Sequence, residues 1–197
     1  MYFCGMEEMI ERFCRRYKLP ERTLCALLQH MTELTFSKGE LIVSAGERNT
    51  NFYILKQGIW RAYALKESTE VSLWFVTTGD SAFSSWGYVA NQPSQAYIES
   101  VTDSVAYMIS RPALETLFSE SIEMANFGRR IFEQEILSVD NSTLAFGTPT
   151  AKERYLTLLE ANPELLQQVP LKHLASYLYI TPQSLSRIRA GLRRKKK

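Results

Sequence analysis

"LKHLASYLYITPQSLSRIR", residues 171–189, holds two short helical patterns separated by a tight Tyr179-Ile180 connection. In the first, Leu171, Leu174, Ala175 and Leu178 recur at i, i+3, i+4 and i+7, which places them on one face of a helix. Thr181 is a residue type that caps a helix and Pro182 suits a first helical position. Leu185, Ile188 and Leu192 then mark the inner face of a second helix. Small Ala175 lets the two helices cross closely. This is the spacing of a helix-turn-helix.

With 185, 188 and 192 facing inward, 100° per residue puts Gln183, Ser186, Arg187, Ala190 and Arg194 on the outer face. Arg offers a bidentate fork to guanine, Gln pairs with adenine, and Ser or Ala allows close approach to base edges. Ser184 and Arg193 fall on the flanks, where phosphate contact is expected. The charge distribution points the same way. Seven of the 23 Lys and Arg residues lie in 187–197 (Arg187, Arg189, Arg193, Arg194, Lys195, Lys196, Lys197), with no acid among them. The other 186 residues carry sixteen bases against 21 acids, so a mildly acidic body ends in a strongly basic tip. That asymmetry suits a polyanion, here double-stranded DNA.

Upstream of this unit the texture is different. From about 33 to 109 the chain consists of short runs rich in β-branched and aromatic residues: "ELTFS", "ELIVSAG", "NFYILKQG", "IWRAYAL", "TEVSLWFV", "QAYIESV" and "SVAYMIS". Lys38-Gly39, Gly46, Gln57-Gly58, Gly79-Asp80 and Asn91-Gln92-Pro93 separate them as turns. Closely spaced strands without intervening helices predict an antiparallel sandwich or barrel, with a jelly roll preferred. Before it, Met6, Met9, Ile10 and Phe13 describe one amphipathic helix, and Leu24, Leu27, Leu28 and Met31 a second that starts near Pro20. After it, "RPALETLF" at 111–118 opens a helical region running to about Phe146. Phe118, Ile122, Ala125, Phe132, Ile136 and Val139 form its apolar stripe, interrupted by Arg129. A long helix between two domains has little else to cover such a stripe, which favours pairing with a second copy. "GTPT" at 147–150 breaks the pattern, with Thr148 as cap and Pro149 in the first turn of the next helix. Beyond it, "TAKERYLTLLEANPEL" reads as one helix with Tyr155, Leu158 and Leu159 inward.

The predicted class is therefore α+β. An N-terminal antiparallel jelly roll with its helices occupies 1–117, a dimerisation helix 118–146, and a C-terminal helix-turn-helix domain 147–197. No apolar run approaches the ~18 residues of a membrane helix, and the acidic, interrupted "MYFCGMEEMIERFCRR" does not read as a signal peptide, so a cytoplasmic location is expected without membrane partners. Cys4, Cys14 and Cys25 are too few and too widely spaced for a disulfide framework or an iron–sulfur site, and are expected as free thiols. A catalytic jelly roll of the cupin kind needs clustered histidines with a carboxylate; His30 and His173 both lie outside the strand runs. Nucleophile–base arrangements lack a base there too, and no phosphate-cradling glycine loop occurs, so neither an enzyme nor a metal or organic cofactor is expected.

The whole chain resembles the cyclic-AMP receptor protein and fumarate–nitrate regulator (Crp/Fnr) superfamily, particularly its short Bacteroidetes-type members. "FSKGELIVSAGERNTNFYILKQGIWRAYAL" is similar to that family's sensory barrel, and "LKHLASYLYITPQSLSRIR" to its DNA-binding motif. The resemblance implies a dimeric transcription regulator in which Arg187 takes the place of the guanine-reading arginine. Gln183 stands for the usual glutamate, and Ser186 at a position that adjusts site preference. Tyr179 stands where a small residue, usually Gly, forms the turn, and five residues after Leu192 leave no room for a β-wing within this sequence. In the sensory half, cyclic-nucleotide binders of the family hold sugar and phosphate with a Gly-Glu pair and, some ten residues later, an Arg in Pro-Arg-x-Ala. Here the later segment is Pro93-Ser94-Gln95-Ala96, and the earlier one is Ala82-Phe83-Ser84-Ser85 with no Glu. Ser84, Ser85, Ser94 and Gln95 are the effector-site positions the resemblance gives. A serine hydroxyl replaces a guanidinium weakly, so an effector other than cyclic AMP, or none, is expected. Arg61 and Lys66 are other barrel cations that could meet a phosphate. The competing expectation is a cyclic-nucleotide or other small-ligand-binding module that acts mainly away from DNA.

Overall fold

The computed structural model describes residues 2–147 and 150–194. Its centre is eight strands in two sheets: β1 (Thr32–Phe36), β2 (Leu41–Val43), β3 (Phe52–Gln57), β4 (Trp60–Lys66), β5 (Thr69–Val76), β6 (Ser81–Phe83), β7 (Tyr97–Ser100) and β8 (Ser104–Ile109). One sheet runs β1-β8-β3-β6 and the other β2-β7-β4-β5, every pair antiparallel. Pairing first with last, second with seventh and so inward is jelly-roll topology. The strand the sequence pattern missed is β6. Three residues, Ser81-Ala82-Phe83, are too short to show an alternation, and only their pairing with Phe52–Ile54 makes them a strand.

Alternation along the strands divides the interior. Tyr53, Leu55, Trp60, Ala62, Ile98 and Ala106 fill the space between the sheets. Phe52 and Ile54, which alternate with them on β3, instead face α1 (Tyr2–Tyr17) and the helices after the barrel. Met9, Phe13 and Tyr17 of α1 and Leu24 and Leu27 of α2 (Glu21–Leu28) complete this second core. Gly79, at φ +84°, carries the β5–β6 turn beneath α1; a Cβ there would lie 2.5 Å from the Arg12 Cβ. At the same junction the Tyr17 hydroxyl meets Ser81 Oγ at 2.9 Å and Glu135 Oε1 at 3.0 Å, while Arg16 lies 3.0 Å from Asp80. Burial pushes the Asp80 and Glu135 carboxyls up, with Arg16 opposing.

The helical region after the barrel is broken where the sequence reading ran it through. α3 (Arg111–Glu120) ends at Ser121, whose backbone is extended (φ −140°, ψ 119°) and whose hydroxyl accepts from the Met124 amide to start α4 (Ile122–Gly147). Serine prefers such a cap to a helix interior, which explains the break. Phe118 therefore sits on α3, its ring against Gly128, where a Cβ would come within 2.6 Å. Met124, Phe127 and Ile131 of α4 are buried, whereas Ile122, Ile136, Val139 and Leu144 are each more than 60% exposed.

The C-terminal helices depart from the reading in one more place. α5 (Ala151–Ala161) stops at Asn162, and Pro163 opens α6 (Pro163–Gln168). A proline cannot continue a helix but fits its first turn, so Asn162-Pro163 divides the segment read as one helix. Thr150 caps α5 in a reciprocal box with Glu153; Thr148 and Pro149, expected to do so, lie outside the described residues. α7 (Leu171–Tyr177) and α8 (Pro182–Arg194) follow, and Tyr155, Leu158, Leu165, Leu174, Ala175, Leu178 and Leu185 form their shared core. Among the described residues no helix is long and apolar enough to cross a membrane.

Candidate nucleic-acid interface and barrel site

α8 starts where expected: the Ser184 amide donates to Thr181 Oγ1 at 3.2 Å, and Pro182 occupies the first turn. Leu185 is fully buried, and Ile188 and Leu192 pack against the same core. Gln183, Ser186, Arg187 and Ala190 are all exposed on the opposite face. Ser184 is half-buried and its hydroxyl is 3.0 Å from Thr181 Oγ1, so it belongs to the cap as well as the flank. The Arg193 and Arg194 side chains and Lys195, Lys196 and Lys197 lie outside the described residues. Tyr179 adopts φ 55°, the left-handed conformation a glycine takes freely. The turn keeps its geometry with a larger residue, whose ring is half exposed.

The four effector-site positions separate. Ser84 is buried, and its hydroxyl accepts from the Gly87 amide at 3.2 Å, starting a single helical turn at 85–89. Gly87 packs so closely on Asn49 that a Cβ would lie 1.9 Å from the Asn49 carbonyl oxygen. Ser94 is buried as well. Its hydroxyl donates to the Ala96 carbonyl at 2.7 Å, while its backbone pairs with Gly46 and Glu47. Ser85 and Gln95 are at the surface. Between this segment and α4, Phe52, Phe83, Tyr88 and Phe132 pack with ring centroids 5.4–6.3 Å apart, and Arg111 donates to the Tyr88 carbonyl.

Arg61 does not reach this region. It lies on the outer face of β4, fully buried beneath α7, with its guanidinium on Glu70 and Glu99. Lys66 is exposed at the far end of the same strand. His173, an isolated histidine in the sequence, is the α7 side chain that meets Arg61. These partners lie up to 112 residues apart, and no local pattern reports them.

Residues 33–121 match the family model described as the cyclic nucleotide-binding domain. Several solved structures share the arrangement of nearly the whole chain. FixK2 from Bradyrhizobium japonicum superposes with a TM-score of 0.73 at 20% identity, over 84% of this chain and 86% of that one. The c-di-GMP-responsive global regulator CLP of Xanthomonas campestris gives 0.70 at 16%, over 90% and 93%. The catabolite activator protein of Thermus thermophilus gives 0.55 at 16%, over 90% and 85%. The fold is the Crp/Fnr fold. No curated protein matches the chain by sequence. In this chain's barrel the buried Ser94 hydroxyl is used internally, on the Ala96 carbonyl.

Proposed function

We propose that the protein is a dimeric, sequence-specific DNA-binding transcription regulator of the cytoplasm, and not an enzyme. The observation that carries this reading is α8: a buried Leu185 seam behind an exposed face of Gln183, Ser186, Arg187 and Ala190, at the basic end of an otherwise acidic chain. α7 and α8 act as the helix-turn-helix, with α8 in the major groove and Arg187 forked on guanine; Arg194 belongs to the same reading face, and Ser184 and Arg193 to the phosphate flanks. The exposed face of α4, Ile122, Ala125, Ile136 and Val139, pairs with its counterpart in a second copy, giving two reading heads and a palindromic site. Arg187→Ala is expected to weaken the specific site by about 1–3 kcal/mol and relax preference at one base pair, with random DNA little affected. A titration of each variant on specific and scrambled duplexes checks this. Equal loss on both would make Arg187 a phosphate contact.

The barrel takes an effector other than cyclic AMP, or none. Ser94 is occupied, no glutamate accompanies Ser84, and aromatic rings fill the space toward α4. An effector bound at this segment meets Ser85 and Gln95, the two exposed positions. A ligand at ~100 times its dissociation constant stabilises a protein by about 2.7 kcal/mol, roughly 5–10 °C in melting temperature at this size. Millimolar cyclic AMP is expected to give no such shift. A shift of that size, absent with plain AMP, would contradict the reading.

A further inference from the structure

The seam between the barrel and the C-terminal helices contains a buried charge cluster that neither domain needs for its own core. β5 is the edge strand of its sheet, so one side of its backbone has no strand neighbour. α7 supplies the neighbour. The Ser72 amide donates to Ser176 Oγ at 2.9 Å, and Ser176 Oγ donates to the Glu70 carbonyl at 3.1 Å. One hydroxyl on α7 thus satisfies both an N–H and a C=O on a strand edge, as a paired strand would. Phe75 of β5 meets the Tyr177 ring edge-on at 5.3 Å, and Ile59 and Val101 join the core of the C-terminal helices.

Arg61 lies under this contact at 1% exposure. Its Nη2 is 2.7 Å from Glu70 Oε2 and 2.6 Å from Glu99 Oε1, its Nε donates to Glu99 Oε1 at 2.8 Å, and its Nη1 donates to His173 Nδ1. Its Cζ also lies over the Tyr63 ring, 4.3 Å from the centroid. A buried guanidinium is tolerated only when its donors are placed, and here one of the placed partners comes from α7. Displacing α7 uncovers the guanidinium, removes the His173 acceptor and leaves the β5 edge unpaired together.

We infer that Arg61 and Ser176 are positioning residues that lock the α7–α8 unit onto the barrel, so that the barrel's β4–β5 face sets the spacing of the two reading helices in a dimer. The inference rests on α8 reading DNA. Protonation of His173 opposes the lock. Burial, then Arg61 and Lys172, hold its pKa down at about 4, with Glu70 opposing, so the ring accepts from Arg61 as a neutral imidazole. The groups facing it are Arg61 from β4, Glu70 from β5 and Lys172 on α7, while Tyr63 of β4, Ser72 of β5 and Glu99 of β7 face Arg61. A freed His173 titrates near its ordinary value of 6.5 and binds more protons than the docked one, so docking loses stability as pH falls from about 6.5 toward 4.

The test compares affinity for a palindromic duplex and for a single half-site, alongside hydrogen exchange at the Ser72 amide. In wild type the amide is protected and the palindrome binds far more tightly. In Arg61→Ala and in Ser176→Ala, protection is lost and palindrome affinity falls roughly 10–100-fold, with half-site affinity unchanged, because misaligned heads lose the gain of simultaneous binding. The palindrome-to-half-site ratio of wild type falls between pH 7 and 5, and His173→Gln flattens that profile. Ser176→Ala, the smaller change, decides the matter if Arg61→Ala does not fold. Unchanged protection, or lost protection with an unchanged ratio, overturns the inference. Wild-type protein that binds no duplex at all overturns the DNA reading instead, and Ser72 exchange in the two variants still reports whether the lock exists.

Discussion

An Ile136→Asp variant is expected to run in light scattering at the 22.7 kDa of one chain, where the wild type runs at twice that mass. Ile136 is 65% exposed on a helix whose other side is filled by Met124, Phe127 and Ile131, so its apolar surface has little cover among the described residues. In a pair of α4 helices the same position sits in the seam and faces its own copy. Two aspartates there would be buried side by side without partners, a cost of several kcal/mol for each ion. The fold of the single chain keeps the residue in water and tolerates the change. DNA binding follows the mass. With two heads joined, the second half-site is met at high effective concentration, and losing that link lowers palindrome affinity by roughly 10²–10⁴. A variant that remains at twice the chain mass would place the interface elsewhere.

Trp60→Ala is the substitution expected to cost the fold most. Trp60 is fully buried between the sheets, with Phe36 and Tyr53 edge-on to its ring at 5.1 and 5.4 Å. Its Nε1 donates to Ser104 Oγ at 2.8 Å, which in turn meets Ser100 Oγ at 2.6 Å. Truncation removes the largest side chain of that core and leaves a cavity rigid strands cannot close. The loss is about 3–5 kcal/mol, on the order of 6–20 °C in melting temperature for a chain of this size. Trp60→Phe keeps the ring contacts but strands one hydroxyl acceptor, and should recover more than half of that loss. Urea unfolding followed by circular dichroism measures both. A loss below about 1 kcal/mol for the alanine variant would mean that the barrel interior collapses around the gap.

The parts of this molecule written in local periodicity could be read directly. Leu171, Leu174, Ala175, Leu178 and then Leu185 have one spacing only, and the helices they specify meet along those residues. The strand runs from 33 to 109 gave the jelly roll for the same reason, alternation between two faces. β6 was missed because three residues carry no period. The breaks at Ser121 and Asn162-Pro163 were passed over because apolar spacing continued across them, although a serine that caps and a proline that starts a helix were both present. The barrel–helix seam was not legible at all. β4 reads as an ordinary strand with two cations, Arg61 and Lys66, and only the folded topology brings Arg61 under His173. The effector segment was half legible. The resemblance pointed to Ser84 and Ser94 as the positions of interest, and the fold adds that both hydroxyls are already committed.

Selection of bound duplexes from a random-sequence pool tests the central claim most directly. A dimer whose α8 helices enter successive major grooves should enrich a two-fold symmetric site with half-site centres one helical turn, about 10 base pairs, apart, and a G·C pair at the Arg187 position of each half. Arg187→Ala should lose that base preference while keeping the symmetry. A pool that emerges unenriched at physiological salt, although the protein is folded and dimeric, would contradict the account and leave the barrel as the working part of the chain.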